Sequence, residues 1–259
     1  LAGYGWVKSG HDYPLDFVTK LSMNLSVPAL IFTALMKSTL DPAALKALLV
    51  ASVVGYGGLC AVFWGVTRAA GLDRRTYLAP LIFGNTGNVG LPLALFAFGQ
   101  TGLGYAVVVF AVMILFSFTF GVWLVAGGGS PLRVLREPTM LATLAGALFL
   151  SQGWHTPLWL THTLDLLAQI AIPVMLITLG VAVAGLSARG SGRAVVLAMV
   201  RVAICAILAI AAGYATGLPH EAFAVLVLQL TTPVAVTSYM MAAKYGADAD
   251  SVAGLVIAS

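Results

Sequence analysis

Phe83-Gly84-Asn85-Thr86-Gly87-Asn88-Val89-Gly90-Leu91-Pro92 interrupts an apolar run long enough to cross a bilayer. Its glycines, asparagines and proline make it too polar and too irregular for a plain spanning helix. A second interruption, Leu228-Gln229-Leu230-Thr231-Thr232-Pro233, lies in the corresponding part of the chain's second half. Irregular backbone at membrane depth survives only where it is buried in protein or lines a cavity, because lipid offers its freed N–H and C=O groups no partner. A matched pair of such breaks points to a transporter's binding site.

The rest of the composition agrees with a membrane setting. The chain is 60% hydrophobic and 8% charged over 259 residues, against about 25% charged in a soluble domain. This makes it a polytopic membrane protein, to which length-based counting of globular domains does not apply. The net charge of +4 sits in short loops, so it speaks to topology and gives no footprint for nucleic acid. Cys60 and Cys205 both fall in apolar spans and read as packing residues. Zinc-ligand spacing, a Walker loop, HExxH and GxSxG are all missing, which argues against an enzyme.

Apolar runs of about 20 residues mark the spans. The reading is a fragment ending near Val7, then Phe17–Met36, Leu45–Ala69, Tyr77–Phe98 and Leu103–Val125. After a loop at 126–137 come Pro138–Leu150, Leu160–Leu186, Ala194–Thr216, Glu221–Ala243 and a fragment from Ser251. The expectation is an all-α membrane protein of ten transmembrane helices, the first and last incomplete. One set of alternating loops carries Lys8, Lys20, Arg68, Arg74, Arg75, Arg133, Arg136, Arg189, Arg193 and Lys244, and the other only Lys37 and Lys46. By the positive-inside rule the first set is cytoplasmic, so both termini are expected outside. Trp6, Trp154 and Trp159 fall near span ends, as do His11, His155, His162 and His220; aromatic belts lie at that level.

The halves match at an offset of about 145 to 149 residues. Ser26-Val27-Pro28-Ala29-Leu30 in the second span corresponds to Ile170-Ala171-Ile172-Pro173-Val174 in the seventh. The broken spans end alike, in Phe98-Gly99 and Tyr245-Gly246. An odd number of spans per half forces the halves into opposite orientations. The reading is a five-plus-five inverted repeat: residues 1–125, the cytoplasmic loop 126–137, and residues 138–259.

Three stretches carry a resemblance to a known family: Asn24-Leu25-Ser26-Val27-Pro28-Ala29-Leu30, then Asn85-Thr86-Gly87-Asn88-Val89-Gly90-Leu91-Pro92-Leu93, then Pro233 followed by Ala242-Ala243-Lys244-Tyr245-Gly246. The chain resembles the auxin efflux carrier family, which includes the plant PIN proteins and bacterial malonate-type carriers. The resemblance implies a ten-helix fold shared with sodium/bile-acid symporters, in which the fourth and ninth helices are broken and cross near mid-membrane. It implies a scaffold of helices one, two, six and seven, and a moving domain of three to five and eight to ten. It also implies elevator-like transport of a carboxylate-bearing organic anion. Plant members carry a proline just before the asparagine of the fourth helix, where this chain has Gly84. The first crossing is therefore expected to bend through Gly84 and Gly87.

Breaking two helices exposes half-helix N-termini, whose bare N–H groups and partial positive charge hold an anion without any charged side chain. Asn85 is the leading candidate for direct substrate contact, with Asn88, Thr86, Thr231, Thr232 and Gln229 as neutral donors and acceptors. Gly84, Gly87, Gly90, Pro92 and Pro233 are expected to break the helices, and the three glycines to allow close approach and unusual backbone angles. Alternatively the asparagines only satisfy freed backbone groups, and the threonines bond back to their own helices. Arg201 is an intramembrane charge. It serves either as a counter-charge to the anion or to a helix C-terminus, or as an arginine that snorkels or ties helices together. No acidic residue stands in a span centre, which argues against exchange through buried carboxylates. Asp165 is expected to pair with a base or to face the external rim.

The sequence therefore predicts a secondary carrier of a small organic anion in a bacterial inner membrane. It requires no cofactor, and coupling to Na+ or H+ is open. Its partners are the anion, the lipid bilayer and a second copy docked through scaffold helices. The alternatives are a sodium-coupled bile-acid-type symporter and a membrane sensor that binds the same ligand without moving it.

Overall fold

The structure is a computed structural model that describes residues 2–121, 124, 136–186 and 192–259. The sequence-read loop at 126–137, with Arg133, lies outside the described residues except for Arg136 and Glu137, as does Arg189. The described residues are helical, joined by short turns. In chain order α1 is Ala2–Lys8, α2 Leu15–Met36, α3 Pro42–Ala69, α4 Arg74–Ile82 and α5 Thr86–Gly121. Then come α6 Pro138–Gln152, α7 Leu158–Gly185, α8 Gly192–Ala215, α9 His220–Leu230, α10 Val236–Tyr245 and α11 Ala249–Ala258.

Five of these, α2, α3, α5, α7 and α8, are long and apolar enough to cross a membrane. Their outer faces are apolar as well: Leu166 is 65% exposed and Met199 71%. Water would penalise such a surface and lipid does not.

Local chemistry sets the ends. Asp41 caps α3 by accepting from the Ala43 N–H at 3.0 Å, with Pro42 in the first turn where its missing donor costs nothing. Asp73 caps α4 through the Arg75 and Thr76 N–H groups. Gly99, at φ 62° and ψ −152°, kinks α5 and divides it into two helical arms. Side chains rarely enter that region, so the kink needs glycine. Gly246 ends α10 in the left-handed conformation. The two span ends paired in the sequence thus both stop at a positive-φ glycine.

One local feature was not foreseen. The turn Ser22–Ser26 in α2 and the turn Thr86–Gly90 opening α5 are both π-helical. Each stands immediately before an X-Pro pair, Val27-Pro28 and Leu91-Pro92. A proline cannot donate and its ring crowds the carbonyl four residues back. A widened turn relieves that crowding.

Two elements stop short of a span. α4 has 9 residues and α9 has 11, so they reach about 14 and 17 Å against a hydrocarbon thickness of roughly 30 Å. Each is continued, after a non-helical stretch, by a second helix: α4 by α5 and α9 by α10. The stretches meet. Gly84 and Val234 form an antiparallel bridge, and the Asn85 N–H donates to the Pro233 carbonyl at 2.7 Å.

Candidate functional site

The backbone where the interrupted helices meet is held from two sides. Asn85 stands at φ −83°, ψ 55° as the N-cap of α5, and its Oδ1 accepts from the Asn88 N–H at 3.2 Å. Its carbonyl accepts from the Val89 and Gly90 N–H groups. Asn85 therefore does satisfy freed backbone groups, and its side-chain NH2 makes no hydrogen bond among the described residues. α10 begins at Ala235 with no side-chain cap, so its first N–H donors are not closed off by a side chain.

Arg201 supplies the other support. It projects from α8 and is fully buried. Its Nε donates to the Leu81 carbonyl at 3.1 Å and its Nη1 to the Thr232 carbonyl at 2.7 Å. Leu81 lies in the last turn of α4, and Thr232 just beyond the end of α9. Helix C-termini carry bare carbonyls and partial negative charge, so one guanidinium neutralises both. Arg201 neither snorkels nor lines the cavity described next. Its position matches the sequence alternatives of a counter-charge to a helix C-terminus and a tie between helices.

The glycines here serve close approach. None of Gly84, Gly87 and Gly90 has a positive φ, which corrects the expectation of unusual backbone angles. A Cβ on Gly84 would overlap Thr232 Oγ1 and press on the Arg201 guanidinium. One on Gly90 would overlap the Gln229 carboxamide, and one on Gly87 would meet the Phe110 ring at 3.0 Å. Pro233 stands within the second interruption. Pro92 does not stand in the first: it follows the π turn, inside α5.

A cavity of about 230 Å³ opens beside the meeting point. Gly84, Asn85, Gly87 and Asn88 line one side, and Ala235, Thr237 and Ser238 at the start of α10 line another. Phe83, Phe110, Met113 and Met241 make an apolar wall, and Arg75 and Glu137 stand at the end nearest the start of α4 and α6. The Asn88 side chain makes no hydrogen bond among the described residues. The starts of α5 and α10 thus face one space that carries neutral donors and an apolar wall. Such a space suits the negatively charged end of a small, partly apolar molecule.

The other sequence candidates are not brought to this cavity. Thr231 Oγ1 donates to the Val227 carbonyl at 2.7 Å and Thr232 Oγ1 to the Gln229 carbonyl at 2.8 Å. Thr86 Oγ1 and both polar atoms of Gln229 are buried without a hydrogen-bond partner among the described residues. Thr237 and Ser238 were missed. Their signal was available, since hydroxyl residues at the first turn after a break are placed as Asn85 and Asn88 are.

Residues 126–259 match the family described as membrane transport protein. The chain belongs to this family of transporters, the auxin efflux carriers. This transporter is also 26% identical over 257 residues to an "Uncharacterized transporter" of Methanothermobacter thermautotrophicus, covering 93% of this chain and 83% of that one. It is an integral membrane protein, and family membership suggests transport rather than catalysis.

Proposed function

We propose that the chain is a secondary carrier of a small organic anion, bound in the 230 Å³ cavity where α4–α5 and α9–α10 meet. The observation that carries this reading is the convergence of two half-helix starts on one cavity together with Asn85 and Asn88. Each helix start favours an anion by about 0.3–1 kcal/mol when exposed and up to about 2 when partly buried. Two of them with neutral donors make a reversible carboxylate site, of the strength a carrier needs to release its cargo.

In this reading α4 with the first arm of α5, and α9 with α10, are the fourth and ninth spans of a five-plus-five inverted repeat and cross at mid-membrane. Spans one, two, six and seven (α1, α2, α6 and α7) are the scaffold. The remaining spans carry the anion past it in an elevator-like motion. The chain sits in a bacterial inner membrane with both termini outside and the basic ends of α4 and α10 in the cytoplasm. A second copy docks through the scaffold helices.

The test is a panel of carboxylates measured by thermal shift on protein in lipid nanodiscs, with sodium present and replaced by choline. It is followed by counterflow of the best-binding acid in proteoliposomes. An acid that stabilises the protein and exchanges across the bilayer supports the proposal, and its sodium dependence identifies the coupling. Binding without counterflow would convert the reading to a sensor. No response to any acid would overturn the anion site.

A further inference from the structure

A second cavity, of about 610 Å³, lies between the end of α2, the first half of α7, and α5 on either side of Gly99. Lys37 and Asp165 line it, as do Gln100, Thr101 and Gln169. Lys37 Nζ contacts both carboxylate oxygens of Asp165 at 2.6 Å. Lys37 is the C-cap residue of α2, where the helix dipole favours a cation. Asp165 is anchored on α7, a 28-residue helix. Of the cavity's lining residues, Lys37 is the base and Asp165 the acid. Gln100, Thr101 and Gln169 are exposed, and their side chains make no hydrogen bond among the described residues.

We propose that this cavity is a second, weaker carboxylate site, in which Lys37 exchanges Asp165 for the carboxylate of the transported anion. The proposal rests on the carrier reading above for the direction of traffic, but the binding step stands on its own geometry. The side chains of Lys37 and Asp165 are 46% and 30% exposed, and an ion pair that wet contributes little to stability. Replacing one carboxylate by another leaves Nζ with the same kind of charge-assisted bond, so the exchange runs close to balance. The free amides and hydroxyl around it give the rest of the ligand partners. The displaced Asp165 cannot leave, because α7 holds it beside the pair. Its charge then repels the bound anion and speeds its release. Paired, the two charges cancel, so the cavity neither repels an arriving anion nor traps one. A pathway site must be occupied readily and vacated readily, and an internal competitor achieves both.

The experiment uses the whole chain in nanodiscs. The chain has five lysines, Lys8, Lys20, Lys37, Lys46 and Lys244, so reductive 13C-methylation gives a spectrum in which loss of one signal in Lys37→Arg assigns Lys37. Malonate is the probe, titrated against chloride at matched ionic strength. Lys37 reads any carboxylate, so malonate serves whatever the natural cargo. The expected result is a saturable shift of the Lys37 signal alone, tightened by up to about fivefold in Asp165→Asn. The other four signals staying in place shows that this variant is folded. A Lys37 signal that does not move, or that moves together with the other four, overturns the site. A shift that Asp165→Asn leaves unchanged or weakens overturns the exchange and makes the pair a plain tie between α2 and α7. Malonate protection that depends on Asn85 while Lys37 stays still would remove this site and leave the carrier reading intact. A Lys37 shift without flux would do the reverse.

Discussion

The guanidinium of Arg201 donates to the Thr232 carbonyl at 2.7 Å, while its Nε holds the Leu81 carbonyl at 3.1 Å. One side chain from α8 thereby closes the ends of both interrupted helices. A buried charge is expensive, and exchanging buried ionic groups for apolar ones often costs nothing when every partner leaves together. Here the partners are main-chain carbonyls that no substitution removes. Arg201→Met should therefore destabilise the protein by about 1–3 kcal/mol for each carbonyl it orphans. Arg201→Lys, a point charge in place of a fork, should recover only part of that loss. Denaturation in mixed micelles measures both, and a wild-type melting point for Arg201→Met would refute the assignment.

Asn85 both caps α5 and faces the cavity, and two variants separate these duties. Asn85→Ala should lose the cap, at about 0.5–2 kcal/mol, together with anion binding. Asn85→Asp still accepts from the Asn88 N–H and so keeps the cap, while its buried carboxylate adds a desolvation cost. Its carboxylate repels an anion within a few ångströms, which should weaken binding about tenfold or more. Equal anion affinity in Asn85→Asp and wild type, by thermal shift or isothermal titration, would rule out the cavity as the anion site.

Gly90 makes room for the carboxamide of Gln229. Gly90→Ala should overpack the contact at a cost of about 1–3 kcal/mol, and Gln229→Ala should remove the obstacle. The double variant is then expected to be more stable than the sum of the two single effects, by 0.5 kcal/mol or more in a double-mutant cycle. Gly84→Ala lacks such a rescue, because the backbone carbonyl of Thr232 also stands in the way, 2.9 Å from the added carbon. Additivity at the Gly90–Gln229 pair would mean that the contact does not couple them.

Asp248, in the turn before α11, accepts from Ser251 N–H at 3.0 Å and from Ser251 Oγ at 2.6 Å. The Ser251 hydroxyl, and then its N–H, hold the Asp248 carboxyl below the usual carboxylate range. A pKa lowered on folding contributes stability above the unfolded value and loses it as pH falls through the folded value. Its contribution should therefore be flat at neutral pH and fade only in acid, below the ordinary aspartate range. Asp248→Asn keeps a capping oxygen and should flatten that part of the acid limb. An unchanged limb in Asp248→Asn would assign the acid sensitivity elsewhere.

Much of the helix layout was legible because it rests on short-range chemistry. Runs of apolar residues marked the spans, and the observed ends of α2, α3, α7 and α8 fall within a few residues of those read from hydropathy. Gly84 and Pro233 marked the interruptions, and Gly99 and Gly246 the turns that follow. The contacts of Arg201 were not legible. They join positions 120 and 31 residues apart, and which carbonyls a buried guanidinium reaches depends on how three helices meet. Polarity alone likewise could not separate Thr231 and Thr232, which bond back into α9, from Thr237 and Ser238, which line the cavity. That distinction turns on which side of the break each residue falls. The π turns before Pro28 and Pro92 were hidden because hydrophobic periodicity does not register one extra residue in a turn.

On the carrier reading proposed above, the cavity divides recognition between two materials. Its grip on charge comes largely from main-chain N–H groups at the starts of α5 and α10, which no side-chain substitution short of proline can delete. Its grip on the rest of a ligand comes from Phe110, Met113 and Met241, each freely replaceable. Charge preference is thereby insulated from drift, while size and shape preference stays open to it. A lineage built on this scaffold can move from one acid to another by repainting a single wall.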